Sequence, residues 1–487
     1  MLFNTIEFAG FFGIILVLYW ALWKKRDLQN LVLLAGGWYF YNKLHYTFPL
    51  FLAGMIAVGY LFGRLIHAQE DIKKRKPILV AGIVLLGFGL TYIKYSGLIL
   101  GNITGLHQWQ ASALHILVPV GISYYTFCSI GYITDVYRRR IPAETNIITY
   151  AAYISFFPHL LSGPIASAVS ILPQFRRTHI PTRKEIEQSV GEIIWGLFKK
   201  MVIAANIELA VNYCFAHATD LHGSTLFLGC VLFNFYLYAD FSAYSELARG
   251  IARLLGIELT QNFKMPFFSR NPGEFWRRWH TSLRKWMLDY LYLPLGGNKG
   301  SMFQYIMLML FIFSFSGLWH GANITFVCWG LLNGLYFIPY ILTNTLTRYK
   351  EPVAAGRMLP TPKEFFQILL TFVLMTSTRI FFRSPDMAVS RVFIEKILSA
   401  DLFVKPMELV VRNLYWGIPM LAVEWIQREK TFVLDAGVPG FLKARLGAEG
   451  TEKLKTLLRL VVYLLVIFFI WKFHKAKNMT EYYYFKF

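Results

Sequence analysis

The sequence has little charge for its length, and acidic residues are especially few. Only 16% of its 487 residues are charged, and 49 Lys and Arg against 28 Asp and Glu give a formal net charge of +21. The chain is 56% hydrophobic and 17% aromatic, which is too apolar for an ordinary soluble protein of this size. The composition therefore disfavours soluble classes and predicts a membrane protein.

Cysteine is also scarce. Cys128, Cys214, Cys230 and Cys328 lie in apolar surroundings, and no two are close enough in sequence to form a metal-binding pair. This spacing disfavours a disulfide framework and a zinc site. We interpret the four thiols as small buried hydrophobic groups and predict that the protein has no metal site.

Three common catalytic motifs are missing as well. The chain has no Gly-x-Ser-x-Gly elbow, no phosphate-binding Gly-Lys-Ser/Thr loop and no His-Glu-x-x-His pair. Each of these motifs carries the nucleophile, the phosphate cradle or the metal ligands of its class. Their absence disfavours a serine hydrolase, a nucleotide-driven pump and a zinc protease.

Long apolar runs are what the sequence has in abundance. Many segments approach or reach the roughly 20 apolar residues that a helix needs to cross a bilayer. No polar stretch is long enough to suggest a second domain. We therefore predict an all-α, polytopic membrane protein, with one domain spanning residues 1–487 and about 11–13 membrane-embedded helices. Runs shorter than a full crossing would be re-entrant or interfacial.

Basic residues alternate along the early loops. Lys and Arg cluster at residues 24–26, 73–76 and 138–140, whereas residues 101–110 have neither. By the positive-inside rule, this alternation places the N-terminus outside and the three basic loops in the cytoplasm. Basic residues between 176 and 184 break the pattern, and a hairpin bending at residues 162–164 would restore it. We expect the basic loops to contact anionic lipid headgroups, and we expect no nucleic-acid binding.

One histidine lies deep in apolar sequence. His320 belongs to the stretch SGLWHGAN at residues 316–323, and the neighbouring runs 302–315 and 324–342 have no charge. An ionisable ring at membrane depth is costly to desolvate and marks a functional site by default. The alternative is a structural histidine satisfied by a neighbour's hydrogen bond. Asp240, a further charge in an apolar run, is open to a structural or a catalytic role.

The chemistry that suits His320 is acyl transfer. A neutral imidazole accepts the proton of a hydroxyl group as that hydroxyl attacks a thioester carbonyl. We predict that His320 is this general base. The developing oxyanion needs a hydrogen-bond donor, and His280 or Asn323 could supply it or orient the donor substrate. If the stretch is helical, Asn323 shares a face with His320. An interfacial His280 facing water is the alternative.

The segment that starts with NPGE at residues 271–274 has the pattern of one amphipathic helix. Its apolar face consists of Phe275, Trp276, Trp279, Leu283, Trp286, Met287 and Tyr290, and its polar face of Arg277, Arg278, Thr281, Arg284 and Lys285. Arginine forms paired hydrogen bonds with phosphate groups, and an acyl donor such as coenzyme A is polyanionic. We therefore predict that this segment binds such a donor, through Arg277, Arg278, Arg284, Lys285 and Trp279. The alternative is an interfacial helix whose arginines contact lipid phosphates.

Five ordered stretches resemble the membrane-bound O-acyltransferase family, in its alginate and peptidoglycan O-acetyltransferase branch. They are PVGISYYTF at 119–127, GLFKK at 196–200, YADFS at 238–242, NPGEFWRRWH at 271–280 and GLWHGAN at 317–323. The aromatic C-terminus, YYYFKF at 482–487, is similar too. The segments 162–166 and 281–286 depart from the family pattern. These departures concern the identity of the acceptor and of the partner protein more than the chemistry.

The resemblance implies a helical bundle around a catalytic tunnel in a bacterial inner membrane. His320 would be the essential histidine of the family and His280 its upstream partner. The donor would be acetyl-CoA, a co-substrate reached from the cytoplasm, with no permanently bound cofactor. The acetyl group would pass to a separate periplasmic esterase-like acetyltransferase, which would modify an exported polysaccharide, either alginate or peptidoglycan.

Two other functions remain open at this stage. D-alanyl transfer to teichoic acid would use a carrier-protein thioester, so the cytoplasmic mouth would bind a protein and not free coenzyme A. A transporter in which His320 relays protons belongs to a different class. Turnover of labelled acetyl-CoA by the purified protein would separate both from the acetyltransferase hypothesis.

Overall fold

The computed structural model describes residues 1–104, 118–297, 299–430, 434, 440–473 and 482–483. Across these ranges the chain is helical and contains no strand. Seven helices are long and apolar enough to cross a membrane, and shorter helices pack between them. The prediction of an all-α, polytopic membrane protein is therefore confirmed.

The helices are α1 (Ile6–Ala21), α2 (Arg26–Asn42), α3 (Phe48–Ala68), α4 (Ile72–Thr104), α5 (Ile122–Tyr137), α6 (Ile147–Ile154), α7 (Phe157–Leu160), α8 (Ala168–Ile171), α9 (Arg183–Phe198), α10 (Ala205–Ala216), α11 (Gly223–Leu254), α12 (Pro272–Arg278), α13 (Thr281–Met287), α14 (Met302–His320), α15 (Ile324–Leu335), α16 (Ile338–Leu342), α17 (Pro362–Arg383), α18 (Met387–Ile397), α19 (Glu408–Leu414), α20 (Ile418–Gln427) and α21 (Gly440–Phe473). Short π-helical segments, Lys199–Ala204 and Leu288–Tyr292, follow α9 and α13.

Helix α11 forms the centre of the bundle. It packs against α9, α10, α17, α18 and α19, and 83% of its most apolar stretch is buried. In the outer segment Glu449–Phe473 the buried share is only 6%. A helix that is apolar all round belongs either in a core or in lipid, so these two helices mark the inside and the outside of the bundle.

The apolar run at 147–164 does not form a single crossing. Helix α6 has 8 residues and α7 has 4, which at about 1.5 Å per residue is too short to span a bilayer. Both helices are buried, and the chain bends directly after them. This geometry suits the re-entrant hairpin expected from the sequence. The orientation itself stays a prediction, and part of the loop on which it depends, 105–110, lies outside the described residues.

Helices α14 and α15 form a close antiparallel pair that carries His320. A Cβ atom on Gly317 would lie 2.1 Å from the Phe326 carbonyl oxygen, and one on Gly330 would lie 2.2 Å from the Phe313 oxygen. Small residues let helix backbones approach closely in membranes. The glycines on both helices therefore determine how near His320 lies to α15.

We expect Gly317→Ala to lower both the thermal stability of the protein and its acyl-transfer rate. The added methyl would overlap the Phe326 oxygen, and overpacking of this kind costs about 1–3 kcal/mol. Thermal unfolding in detergent and the transfer rate measure the two effects. Gly54→Ala in α3 is the control, since a Cβ there meets nothing within 4 Å. Equal behaviour of the two variants would contradict the close-packing argument.

Candidate active site

The segment predicted as one amphipathic helix is two short helices with a break at His280. Helix α12 ends at Arg278 and α13 begins at Thr281, and His280 between them has φ 45° and ψ 54°. A left-handed backbone is uncommon for a residue with a Cβ atom and persists only where its surroundings hold it. The prediction of a continuous helix with one apolar stripe is therefore wrong.

Hydrogen bonds with the segment around Asn262 stabilise this break between the two helices. Thr281 N donates to the Asn262 carbonyl at 3.0 Å, and Ser282 N donates to Asn262 Oδ1 at 3.1 Å. Lys264 N donates to the Arg278 carbonyl at 2.9 Å. Asn262 is fully buried, so it satisfies backbone groups that a continuous helix would have paired internally. These partners are distant in sequence, which is why helical periodicity did not reveal the break.

His320 is the last residue of α14, and its side chain is buried. Its Nδ1 lies 2.6 Å from the Ser316 carbonyl oxygen. Since a carbonyl only accepts hydrogen bonds, Nδ1 carries the hydrogen in this contact, and Nε2 is the basic nitrogen of the neutral ring. The helix thereby orients His320 in a tautomer that suits a general base.

Two side chains from α4 donate hydrogen bonds to carbonyl groups at the C-terminal end of α14. Lys94 Nζ donates to the Trp319 carbonyl, and the Tyr95 hydroxyl donates to the Leu318 carbonyl. The last carbonyls of a helix have no partner within it, so these donors stabilise the turn that carries His320. Sequence reasoning missed both residues. The available signal was a lysine inside an apolar run.

The structure brings both predicted histidines into one aromatic environment. The Trp319 ring centroid is 6.4 Å from that of His280 and 4.7 Å from that of His320. Phe241 packs edge-on against His280 at 4.8 Å. His280 lies outside the seven helices that could span a membrane, and burial, together with the nearby His320, lowers the pKa of His280 well below its ordinary value. Its ring is therefore neutral near pH 7.

Asn323 does not share a helical face with His320. Helix α14 ends at His320, Gly321 is extended, and Asn323 is the residue that caps α15. Its Oδ1 accepts from Thr325 N at 3.1 Å, and its Nδ2 donates to the Pro385 carbonyl at 2.6 Å. The helical spacing considered for this pair is therefore wrong, and the amide has structural contacts at both ends. A catalytic role for Asn323 stays a prediction.

A cavity of about 280 Å³ lies beside His280. Its walls are mostly apolar, and Arg277 and Arg284 are the two cationic side chains among its lining residues. Ser316 also lines the cavity, and because its carbonyl contacts His320, it connects the cavity to that ring. A long, uncharged chain with an anionic end would match this distribution of apolar wall and positive charge.

The structure divides the cations that the sequence assigned to donor binding. Arg277 and Arg284 line the cavity, whereas Arg278 forms an ion pair with Glu274 at 2.8 Å. Lys285 lies elsewhere, at a small pocket of about 20 Å³ on the other side of α13. The four cations therefore do not form one continuous face. Donor binding by any of them stays a prediction.

Trp279, the fifth residue assigned to the donor, packs against a buried arginine. The Arg379 guanidinium lies 4.8 Å from the Trp279 ring and 5.9 Å from the Phe382 ring, and its Nε donates to Asn234 Oδ1 at 2.8 Å. Phe382 is in turn 5.1 Å from His320. Sequence analysis missed Arg379, although an arginine inside an apolar run was a usable signal.

Asp240 belongs to a buried ion pair. Its Oδ1 accepts from Lys200 Nζ at 2.6 Å, and its Oδ2 accepts from Tyr483 N at 2.7 Å. Lys199 pairs at 2.6 Å with Glu246, which lies six residues further along α11. These contacts give Asp240 a structural role that ties together α11, the π-helical segment after α9 and the C-terminal Tyr483.

Comparison with known proteins identifies related sequences. The model of the membrane-bound O-acyltransferase family matches residues 136–382, which include both histidines. A probable alginate O-acetylase, AlgI of Pseudomonas aeruginosa, is 35% identical over 74% of this chain and 68% of its own length. The peptidoglycan O-acetyltransferase of Helicobacter pylori is 29% identical over 80% of this chain and 78% of its own.

A more distant relative acts on a different substrate. The teichoic acid D-alanyltransferase of Streptococcus thermophilus is 29% identical over 49% of this chain and 60% of its own length. The family match covers about half of the chain, and the first relative exceeds 30% identity over 68% of its own length. Apolar helices and family agree on a multi-pass membrane enzyme. The chain therefore belongs to the membrane-bound O-acyltransferase family and is an O-acyltransferase.

Proposed function

We propose that this enzyme takes acetyl groups from acetyl-CoA at the cytoplasmic side of a bacterial inner membrane for O-acetylation of an exported polysaccharide, alginate or peptidoglycan. One observation carries the proposal: a cavity with two lining arginines is also lined by His280 and by Ser316, the residue whose carbonyl orients His320. The relatives named as alginate and peptidoglycan O-acetyltransferases support the polysaccharide as acceptor.

The cavity suits the two ends of such a donor. Its apolar walls match the long uncharged arm that carries the thioester, and Arg277 and Arg284 match the phosphates. Guanidinium groups bind phosphate through paired, charge-assisted hydrogen bonds. Arg277 also donates to the carbonyls of Leu346 and Tyr349, at 3.0 and 2.7 Å, so it connects the cavity wall to the loop that follows α16.

His320 would move one proton during the transfer. As the acceptor oxygen attacks the carbonyl carbon, Nε2 of His320 takes the hydroxyl proton, and the carbonyl oxygen becomes negative. When the carbon–sulfur bond breaks, the imidazolium returns this proton to the leaving thiolate. The products are an ester and a thiol, with no net gain or loss of protons. His280, neutral and near Trp319, would bind or orient the reacting thioester.

The path beyond the membrane needs a second protein. We propose that the acetyl group passes outward to a periplasmic esterase-like acetyltransferase, which completes the esterification. The alternation of basic loops supports this direction, because it predicts that the N-terminus is outside and the basic loops are in the cytoplasm.

Purified enzyme supplied with acetyl-CoA labelled in the acetyl group tests the donor. We expect labelled acetyl to leave coenzyme A, through transfer to an acceptor or through hydrolysis, at a rate that saturates with donor concentration. A D-alanyl thioester on a carrier protein is the matched comparison. Turnover of the D-alanyl thioester alone would contradict acetyl-CoA as donor, and no turnover of either would contradict thioester chemistry at this site.

A further inference from the structure

Two tryptophans beside His320 have buried indole N–H groups with no acceptor in the part of the chain that the structure describes. Among the residues that the structure describes, Nε1 of Trp319 and Nε1 of Trp329 have no hydrogen-bond partner. The two residues are only 6% and 2% exposed, so bulk water does not supply the missing acceptor. A buried donor without an acceptor carries a desolvation penalty, and such groups in native proteins call for an explanation.

Both indoles belong to the first layer of side chains around His320. Their ring centroids lie 4.7 Å (Trp319) and 5.0 Å (Trp329) from the imidazole, at interplanar angles of 75° and 73°. Trp319 also faces His280 at 6.4 Å. Trp329 packs 5.8 Å from Trp276, which lines the cavity. Each of the two rings therefore contacts both the proposed base and a side chain that lines the cavity.

Other donors near His320 each have at least one acceptor within the protein. The Asn323 amide donates to the Pro385 carbonyl at 2.6 Å, and the Gly321 N–H donates to the Leu318 carbonyl at 3.2 Å. The Lys94 ammonium donates to the Trp319 carbonyl. An indole nitrogen, by contrast, can only donate, so a carbonyl oxygen brought by the substrate would meet the need of each tryptophan.

We propose that the indole N–H groups of Trp319 and Trp329 bind the carbonyl oxygen of the acyl group and stabilise its negative charge during transfer. The inference rests on the proposed role of His320 as general base. Donors that are fixed before the reaction stabilise a developing oxyanion without reorganisation, and they are most effective where water is excluded. Both conditions hold for two buried, tightly packed rings.

Trp319→Phe and Trp329→Phe test the proposal, since each keeps an aromatic ring and removes the N–H group. We expect each variant to lower kcat about 10²- to 10³-fold, the loss typical of one oxyanion donor, with little change in the KM for the thioester. Removal of an unpartnered donor favours stability, whereas the smaller ring leaves a cavity that lowers it, so any fall in the thermal midpoint should be no larger than that in a matched buried Trp→Phe variant. A group that only packs the core would not lower kcat while preserving stability.

Trp195→Phe is the matched control. The Trp195 indole N–H is also buried and unpartnered among the described residues, and the residue is 1% exposed. Trp195 lies on α9, and its ring centroid is 5.4 Å from that of Phe198. We expect this variant to keep the wild-type kcat, because within the described part of the chain the Trp195 ring packs against Phe198 and not against His280 or His320.

Two results would overturn the inference. One is wild-type kcat in both Trp319→Phe and Trp329→Phe. The other is a loss of activity that only follows a loss of folded protein and is equalled by Trp195→Phe. Failure of the proposed function is visible separately, as absent wild-type turnover of acetyl-CoA. The indole test then uses the D-alanyl thioester, whose carbonyl oxygen makes the same demand on a donor.

Discussion

His320→Gln is expected to lower kcat for acetyl transfer by about 10²- to 10⁴-fold, the contribution typical of a general base. Glutamine keeps a polar side chain at the end of α14 but has no nitrogen able to take the hydroxyl proton. Donor affinity should change little, because the cavity is lined by His280 and Ser316, not by the His320 ring itself. Steady-state kinetics with labelled acetyl-CoA in detergent gives kcat and KM.

His159→Gln separates chemistry from packing in this experiment. His159 is also a buried histidine, and its Nε2 lies 2.9 Å from the Tyr153 carbonyl, much as Nδ1 of His320 contacts Ser316. It is not among the residues that line the cavity. We expect His159→Gln to change the amount of folded protein more than kcat. Unchanged turnover in His320→Gln would remove His320 from the reaction.

Arg284→Glu is expected to raise the KM for acetyl-CoA about 10- to 100-fold, corresponding to the roughly 1.5–3 kcal/mol of a hydrogen bond to a charged group. Arg284 is exposed, lines the cavity, and has no ion pair within the described residues, so its guanidinium is available to a donor phosphate. kcat at saturating donor should change less than KM, because Arg284 is proposed to bind the donor and not to take part in the chemical step. Initial rates across a range of acetyl-CoA concentrations measure both.

Lys285→Glu is the control for this prediction, since it reverses the charge of the next residue on the same exposed turn of α13. Lys285 does not line the cavity beside His280. If donor binding is local to that cavity, the KM should rise in Arg284→Glu and stay near wild type in Lys285→Glu. Equal effects on KM would contradict a local donor contact. Equal loss of folded protein, without a KM effect, would favour lipid anchoring.

The helical pattern around His280 shows where sequence reasoning reaches its limit. Hydrophobic periodicity correctly predicted helix on both sides of this residue, because it reflects local packing of side chains. It could not predict the left-handed break. The break depends on the buried Asn262, whose backbone and side chain replace the hydrogen bonds that a continuous helix would have made.

Ionisable residues within apolar runs were the most useful sequence signal for the site. The signal identified His320 and Asp240, but it also applies to residues that were missed. The rule that directs attention to His320 applies equally to Lys94 and Arg379. The structure places Lys94 at the end of α14 and Arg379 against Trp279. Neither contact follows from spacing along the chain, but the apolar surroundings of both residues mark them as candidates.

By itself, the sequence determined the all-α membrane class and the enzyme family, and it identified His280 and His320 as the two candidate histidines. The lengths of apolar runs and the order of motifs are properties of the linear chain, so they need no three-dimensional information. Only the tertiary structure decided which cations line the cavity, where the helix breaks and which indoles surround His320. Those features depend on contacts between segments far apart in sequence, and such contacts form only when the bundle packs.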